Sequence, residues 1–199
     1  MLKIGITGGI GSGKTTICRI FEVLGIPVFY ADNAAKSVMH SDALLRQDII
    51  KGFGQESYFE TGELNRKHIS SIVFNDAEQL ARLNALVHPA VFRTFDTWVA
   101  LQSNVPYVLK EAALLFESES YKMCDRSILV KSPEALRIAR IIARDNITAE
   151  EVRLRMNRQF SDEKKEKLAD HIIINDEDLL LIPQVLELHQ HFLSLSDDH

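Results

Sequence analysis

The segment GITGGIGSGKTT, residues 5–16, concentrates residue types that bind phosphate. It holds five of the chain's nine glycines, and a lysine and two threonines follow the last of them. Gly8, Gly13, Lys14 and Thr15 fit the pattern G-x-x-x-x-G-K-[ST]. In this pattern the glycines let successive backbone N–H groups turn toward phosphate oxygens, and the helix that follows adds the positive end of its dipole. The segment therefore predicts a binding loop for a nucleoside triphosphate.

The positions of this loop predict separate roles. We expect six consecutive residues to bind ATP: Gly11, Ser12, Gly13, Lys14, Thr15 and Thr16. Lys14 would bring a point charge to the outer phosphates, and the Thr15 hydroxyl would be a ligand of Mg²⁺, the expected cofactor. The alternative is a glycine-rich turn that holds no ligand.

A carboxylate, Asp32, follows the second apolar run in the stretch FYADNAAK. Parallel strands deliver their carboxyl ends to one crevice, so Asp32 would face the phosphates if the first two strands lie close together. As general base on an acceptor hydroxyl it fits phosphoryl transfer. The alternative is that Asp32 only caps the next helix. A switch GTPase is not indicated, because the chain contains neither N/T-K-x-D nor D-x-x-G.

Arginines are concentrated in the 22 residues from 137 to 158, which contain six of the chain's twelve. Arg137, Arg140 and Arg144 follow three- and four-residue spacing and would share one helix face. We expect Arg140, with help from Arg144, to neutralise the charge on a phosphoryl group during transfer. The alternative is a solvated helix face. Loop, carboxylate and arginines together predict a small-molecule kinase, with Lys14, Asp32 and Arg140 as its catalytic residues.

The elements that must position these residues alternate along the chain. Short runs rich in Ile and Val predict strands at 2–7, 26–31, 106–111, 127–131 and 171–175. Longer helical patterns lie between them, and the last, around Pro183, predicts a closing amphipathic helix. Strands that alternate with helices indicate an α/β fold with a parallel sheet flanked by helices.

Two longer segments predict subdomains within one domain over residues 1–199. Residues 33–105 separate the second and third strands by more than a crossover helix needs, and we interpret them as a helical insertion that binds the acceptor. Residues from about 134 to 168 are interpreted as an arginine-bearing lid.

Capping signals divide these two segments into helices. Asp76 and Gln79, and again Thr148 and Glu151, have the spacing of a capping box. The run DEKKEK, residues 162–167, is expected to be a solvated helix start.

Composition excludes several classes of protein. With 46 % hydrophobic residues and a net charge of −5, the chain predicts a sizeable core and argues against binding to nucleic acid or a membrane surface. It has no run of 18 apolar residues and no signal-peptide pattern at its start. Cys18 and Cys124 lie in no metal-ligand or C-x-x-C spacing, which predicts reduced, buried thiols and a cytoplasmic location.

Several stretches, taken in order, resemble the dephospho-coenzyme A kinase family. They are GITGGIGSGKTT, ADNAAK, GELNRKHISSIVF, LNALVHPAV, LLFES, RIARIIARD, RMNRQ and ADHIIIND. Many kinases share the loop alone, but the ordered set is far more specific. The resemblance implies a P-loop NTPase-type fold and transfer of the γ-phosphate of ATP to the ribose 3′-hydroxyl of dephospho-coenzyme A, the last step of coenzyme A synthesis.

The resemblance also implies roles for single residues. It implies Asp32 as the base on the 3′-hydroxyl, His88 near the dephospho-coenzyme A site and Asn175 beside adenine. By residue type alone, His88 reads more simply as a capping or hydrogen-bonded surface group.

The chain departs from the family pattern at three positions. Ala113 stands where proline is usual, Leu136 where we expect glutamine, and Ile174 where we expect aspartate. None of these departures removes a proposed catalytic group, so they bear on substrate positioning rather than on chemistry.

Two other functions fit the loop. One is a nucleoside monophosphate or other small-metabolite kinase on the same scaffold. The other is a nucleotide-dependent switch or adaptor, which would hydrolyse its nucleotide slowly without phosphorylating an acceptor.

Overall fold

The computed structural model describes residues 1–74 and 76–197. Two compact units are present, one comprising Met1–Tyr30 and Gln102–His199 and the other Ala31–Leu101. The single domain expected over residues 1–199 also includes residues 75, 198 and 199, which lie outside the described residues. The first unit contains the phosphate-binding loop and the second contains Asp32 and His88.

The first unit is built on a five-stranded parallel sheet. Its strands are β1 (Leu2–Gly8), β2 (Val28–Tyr30), β3 (Tyr107–Glu111), β4 (Arg126–Lys131) and β5 (His171–Ile174). They lie in the order β2-β3-β1-β4-β5, and each neighbouring pair is parallel. The predicted α/β fold with a parallel sheet is confirmed.

The strand order bears on the condition set for Asp32, that the first two strands lie close together. β3 lies between them, pairing with β1 on one side and with β2 on the other. β1 is central because it also pairs with β4, with Gly8 opposite Val130 in the register. All five strands are parallel, so their carboxyl ends still share one edge of the sheet.

The inner strands are buried on both faces, which explains their continuous apolar character. Ile4, Ile6 and Leu109 are fully buried. β2 is shorter than the predicted 26–31, because Pro27 cannot donate to the ladder and Ala31 already begins a helix. The Pro27 carbonyl still accepts a hydrogen bond from the Leu109 N–H at 2.9 Å.

Two helices, α1 (Lys14–Val23) and α9 (Leu181–Asp197), complete the main core of this unit. The rings of Phe21 and Phe192 each contact Tyr107 edge-on, with centroids at 6.4 and 5.4 Å. Pro183 is the third residue of α9, where its missing N–H has no intrahelical acceptor. The predicted closing helix is therefore confirmed.

The second unit is helical. It contains α2 (Ala31–Ser41), α3 (Ala43–Phe53), α4 (Arg66–Val73) and α5 (Ala77–Ala100). Asp76 caps α5, accepting hydrogen bonds from the N–H groups of Glu78 and Gln79. Neither α5, with 24 residues, nor any other helix in the described part of the chain is long and apolar enough to cross a membrane.

The predicted lid segment contains three helices, and the last of them starts at residue 162, where a helix start was expected. They are α6 (Glu134–Asp145), α7 (Ala149–Met156) and α8 (Asp162–Leu168). α6 is capped at its carboxyl end by Asn146, whose φ of 53° turns the chain out of the helix. The capping box predicted from Thr148 and Glu151 is present at the start of α7.

Lys165 on α8 contradicts the expectation that residues 162–167 are solvated. Its side chain is 0 % exposed and forms an ion pair with Glu117, at 3.2 Å between Nζ and Oε1. Glu117 also accepts a hydrogen bond from the Phe160 N–H at 2.7 Å. The pair therefore anchors α8 and the segment before it to the loop that follows β3.

We expect Lys165→Met to lower the free energy of unfolding by about 3–5 kcal/mol, because it leaves the Glu117 carboxylate without its cation. Urea denaturation measures the change. Lys131→Met is the matched control. Lys131 of β4 pairs with Glu166 of α8, the helix that also contains Lys165, but the side chains of Lys131 and Glu166 are both about 40 % exposed. Equal losses in the two variants would show that burial of the first pair has no energetic consequence.

Histidines cluster where α9 packs on β5. His171 lies edge-on to His191 and Phe192, with centroids at 5.2 and 5.3 Å. Its Nε2 is buried and has no hydrogen-bond partner among residues 1–74 and 76–197. Burial and then the charge of His191 lower the pKa of His171, with Arg126 adding to this and Asp170 opposing it.

Acidification should therefore destabilise the fold at this cluster. The pKa of His171 is lower in the folded chain than in the unfolded chain. The unfolded chain therefore binds more protons below about pH 6.5, and the free energy of unfolding decreases as the pH falls in this range. We expect His171→Gln to lose less stability than the parent between pH 7 and 5.5 in denaturation series. His40→Gln, at an exposed position, should keep the parent's slope, and a parental slope in His171→Gln would refute the assignment.

Both thiols are free. Burial raises the pKa of Cys18 far above its ordinary value, with nearby Glu111 and Glu22 adding to the effect. Burial also raises the pKa of Cys124, to about 11. Both groups stay protonated at neutral pH and are poor nucleophiles. The prediction of buried thiols is confirmed for Cys18, whereas Cys124 is only partly buried as a residue.

Candidate active site

The phosphate-binding loop joins β1 to α1 through two glycines with positive φ. Gly11 has a φ of 80° and Gly13 a φ of 92°, a region that other residues avoid. A Cβ at Gly13 would also overlap the side-chain amide of Asn175. These constraints fix the loop so that α1 presents its amino-terminal turn, the end that attracts anions.

The predicted ligand residues of the loop differ in exposure. Thr15 and Thr16 are exposed at the start of α1, and Lys14 is partly buried. The Lys14 ammonium donates a hydrogen bond to the Gly8 carbonyl at 3.1 Å, which lays the side chain back over the loop. Ser12 is fully buried, so its contribution to nucleotide binding would come from its backbone.

Arg140 and Asn175 hold one side of this loop. The Arg140 guanidinium donates to the Gly11 carbonyl at 3.4 Å and to the Asn175 side-chain oxygen at 3.2 Å. Asn175 in turn donates to the Ser12 carbonyl at 2.8 Å. Arg140 also forms an ion pair with Glu177 at 3.3 Å. The structure therefore brings Arg140 and Asn175 together at the loop, as parts of one hydrogen-bond network.

The three arginines of α6 have different surroundings, although they share the predicted spacing. Arg137 is buried, with 6 % of its surface exposed, so the solvated-face alternative is wrong for this residue. Arg144 fits that alternative better, because its side chain is 65 % exposed and pairs with Asp145. Asp145 also pairs with Arg155 at 2.9 Å. The described contacts of Arg144 therefore do not place it at the loop.

Gln159 is a residue that sequence reasoning left without a role. Its side-chain oxygen accepts a hydrogen bond from the Ile10 N–H at 2.9 Å, and its amide donates to the Ala113 carbonyl at 3.2 Å. Gln159 thus connects the phosphate-binding loop to the segment after β3. The only signal for it was its place in RMNRQ, because the partners are far away in sequence.

Two departures from the family pattern preserve local structure. The Ala113 carbonyl accepts hydrogen bonds from Gln159 and from Thr7, and this acceptor is a backbone atom that proline would also supply. Ile174 is partly exposed, and Gln184 bonds both its N–H and its carbonyl, at 2.8 and 2.9 Å. Nothing in the structure explains Leu136.

An apolar cavity of about 440 Å³ opens beside Asn175. Its lining consists of Ile20, Asn175, Glu177, Leu179, Leu180, Leu181, Ile182 and Pro183. The cavity therefore shares Asn175 and Glu177 with the network that holds the loop. Apolar walls with a few polar groups at one side are typical of small-molecule sites.

Glu111 brings a carboxylate to the sheet edge near the loop. It is the last residue of β3 and pairs in register with Ile6 of β1. Glu111 raises the pKa of Cys18 while Lys14 lowers it, so both charges act on the same thiol.

Asp32 and His88 belong to the second unit. Asp32 is exposed in the first turn of α2, two residues after β2 ends. His88 lies on α5 and stacks on Phe92, with centroids 6.1 Å apart. Pro89 follows it within the helix and cannot donate to the Ala85 carbonyl.

Comparison with known proteins identifies the family. A family model described as dephospho-CoA kinase matches residues 2–180. The chain belongs to the dephospho-CoA kinase family. A dephospho-CoA kinase of Salinibacter ruber is 43% identical over 178 residues, covering 88% of this chain and 89% of the relative. The family predicted from the sequence, and with it the assignment as a kinase, is confirmed.

Solved structures agree with this membership. The crystal structure of TT1252 from Thermus thermophilus superposes with a TM-score of 0.84 at 31% identity, over 96% of this chain and 97% of the other. A dephospho-CoA kinase from Campylobacter jejuni gives a TM-score of 0.70 at 26% identity, with the same coverage. Members of the dephospho-CoA kinase family therefore share this P-loop fold along nearly the full chain.

Proposed function

We propose that this chain transfers the γ-phosphate of ATP to the ribose 3′-hydroxyl of dephospho-CoA, giving CoA and ADP in the last step of CoA synthesis. The observation that carries the proposal is the family match over residues 2–180, which includes the loop and the arginine-bearing segment. The substrates are small molecules, and the proposed compartment is the cytoplasm.

ATP would bind through the six loop residues named from the sequence, Gly11 to Thr16. Lys14 already lies over the loop and would exchange its bond to the Gly8 carbonyl for a phosphate oxygen. Arg140 is held beside the Gly11 carbonyl, from where its guanidinium would stabilise charge on the transferred group. Arg144 would contribute only after leaving Asp145.

The adenine would occupy the apolar cavity between Ile20 and the Leu179–Pro183 segment. Support comes from its position, since Asn175 both lines the cavity and donates to the Ser12 carbonyl. Asn175 would therefore act as a link between the base and the phosphate-binding loop.

Mg²⁺ fits the donor groups at this edge of the sheet. The exposed Thr15 hydroxyl would hold it, and Glu111, the last residue of β3, is a further oxygen donor. Oxygen ligands with few protein carboxylates suit Mg²⁺, which uses substrate phosphates as ligands as well. When bound, the ion would neutralise charge on the phosphates.

On the acceptor side, Asp32 would take the proton of the 3′-hydroxyl, and His88 would contact dephospho-CoA. Asp32 is exposed, as a base on a substrate must be before the substrate binds. Asp32 as a helix-end residue without chemistry is the competing explanation, which substitution can decide.

Product analysis tests the reaction directly. The protein is incubated with ATP, Mg²⁺ and dephospho-CoA, and mass spectrometry should detect CoA and ADP in equal amounts. Parallel reactions contain AMP, another nucleoside monophosphate, or no acceptor. Faster phosphorylation of a monophosphate would favour the metabolite-kinase alternative, and slow ADP release without any phosphorylated acceptor would favour a switch.

We expect Arg140→Ala to lower kcat about 100-fold, because a fixed cation beside the transferred group is lost. Steady-state kinetics measures kcat, and calorimetry measures the affinity for ATP separately. Arg126→Ala, at the opposite end of the sheet, is the control and should keep the parental kcat. A parental kcat in Arg140→Ala would mean that Arg140 belongs to ordinary surface.

A further inference from the structure

Arg137 packs against the phosphate-binding loop. Its carbonyl lies so close to Gly11 that a Cβ there would come within 2.6 Å of the carbonyl oxygen. Its guanidinium lies over Gly9, where a Cβ would overlap the terminal Nη1. The backbone and the side chain of one residue thus contact two glycines of the loop.

The other end of this guanidinium is fixed by α8. Its Nη2 donates to the Asp162 carboxylate at 2.9 Å, in an ion pair whose side chains are 8% and 27% exposed. Asp162 is the first residue of α8, three residues after Gln159, which accepts from the Ile10 N–H. Residues 159–162 therefore hold the first half of the loop both directly and through Arg137.

The buried guanidinium is kept at an energetic cost. Its Nε is buried and has no hydrogen-bond partner within the described residues 1–74 and 76–197. An unsatisfied buried N–H is unfavourable, and an apolar side chain of similar length would avoid it. The geometry therefore favours a role that needs the fixed fork of an arginine, with one nitrogen on Gly9 and the other on Asp162.

We propose that Arg137 is a positioning residue that holds the phosphate-binding loop in its ATP-binding conformation before ATP arrives. The inference rests on the proposed function, since the loop must bind ATP for its conformation to matter. A loop that is already ordered does not lose conformational entropy on binding, so it binds more tightly. Through Asp162, the same contact makes ATP affinity depend on the position of α8.

The contact can be broken from both sides. Arg137→Met removes the guanidinium and keeps the length of the side chain. Gly9→Ala pushes the guanidinium away, and Gly9 has no positive φ that would forbid alanine. We expect either change to raise the Kd for ATP about tenfold. The double variant should be no weaker than the worse single one, because both changes remove one contact.

Asp162→Asn and Glu166→Gln form a matched pair on α8. Each replaces a carboxylate with an amide in an ion pair, Asp162 with Arg137 of α6 and Glu166 with Lys131 of β4. Asp162→Asn should raise the Kd for ATP several-fold, whereas Glu166→Gln should leave it unchanged. Thermal unfolding of each variant shows whether the change in ATP affinity only reflects a change in the stability of the fold.

Hydrogen exchange in the nucleotide-free protein gives a readout that does not depend on activity. The Ile10 and Ser12 amides should exchange faster in Arg137→Met than in the parent or in Glu166→Gln. Unchanged exchange, or an unchanged Kd for ATP in Arg137→Met, would overturn the inference, as would fully additive losses in the double variant. A parent that binds ATP but leaves dephospho-CoA unphosphorylated would refute the proposed function only, because the Kd comparison still decides the role of Arg137.

Discussion

Asp32→Asn should lower kcat by about 10²–10⁴-fold while the Kd for ATP stays at the parental value. General-base catalysis contributes a factor of this size, and the asparagine amide cannot take a proton from the acceptor hydroxyl. Asparagine is also accepted near the start of a helix, so α2 should keep its fold. Single-turnover kinetics with saturating ATP and dephospho-CoA measures the chemical step.

Asp48→Asn is the control for this experiment. Asp48 is an exposed aspartate on α3, in the same helical unit as Asp32, and the same change there removes one negative charge. We expect its kcat to equal that of the parent. If Asp32→Asn also turns over at the parental rate, Asp32 is a helix-end residue and another group must take the proton.

Lys14→Met should reduce both binding and catalysis, lowering kcat/KM by about 10²–10³-fold. The ammonium is the cation that the loop itself supplies, and it already lies within hydrogen-bond distance of the Gly8 carbonyl. Its charge would interact with the outer phosphates in the bound nucleotide and more strongly during transfer. Calorimetry with a non-hydrolysable ATP analogue separates the loss in affinity from the loss in kcat.

Lys122→Met serves as the control, because Lys122 is exposed in the 3₁₀ turn Ser120–Met123 and pairs with Glu119 there. It should retain the parental kcat and ATP affinity. The comparison of the two main variants is informative, because Lys14→Met should weaken ATP binding and lower kcat, whereas Asp32→Asn should lower only kcat. A Lys14→Met enzyme with unchanged ATP affinity would contradict the assignment of this loop to the outer phosphates.

Structural features could be predicted from the local sequence where the interacting residues are close together in the chain. The loop was predictable because glycine backbone freedom, a preceding strand and a following helix all lie within residues 2–23. The capping box of Thr148 and Glu151 was predictable because its two partners are three residues apart. The parallel sheet followed from the alternation of apolar runs with helices.

Long-range pairing could not be predicted in this way. The position of β3 between β1 and β2 depends on which strands pair, and each strand has a similar apolar pattern. Arg137 and Arg144 have the same residue type and the same helical spacing, but one is buried beside Gly9 and the other is exposed. Lys165 lies in a highly charged run and is nevertheless fully buried, because Glu117 reaches it from the segment after β3.

The amino-acid sequence by itself determined the class of fold and the family, because the alternation of apolar runs with helical patterns and the ordered set of motifs are both present in the linear chain. The tertiary structure alone decided which side chains hold the loop: Arg137, Arg140, Gln159 and Asn175 reach it from α6, from the segment before α8 and from the end of β5. The physical reason is that burial and hydrogen bonding depend on distance in space, and residues more than a hundred positions apart become neighbours only when the sheet forms.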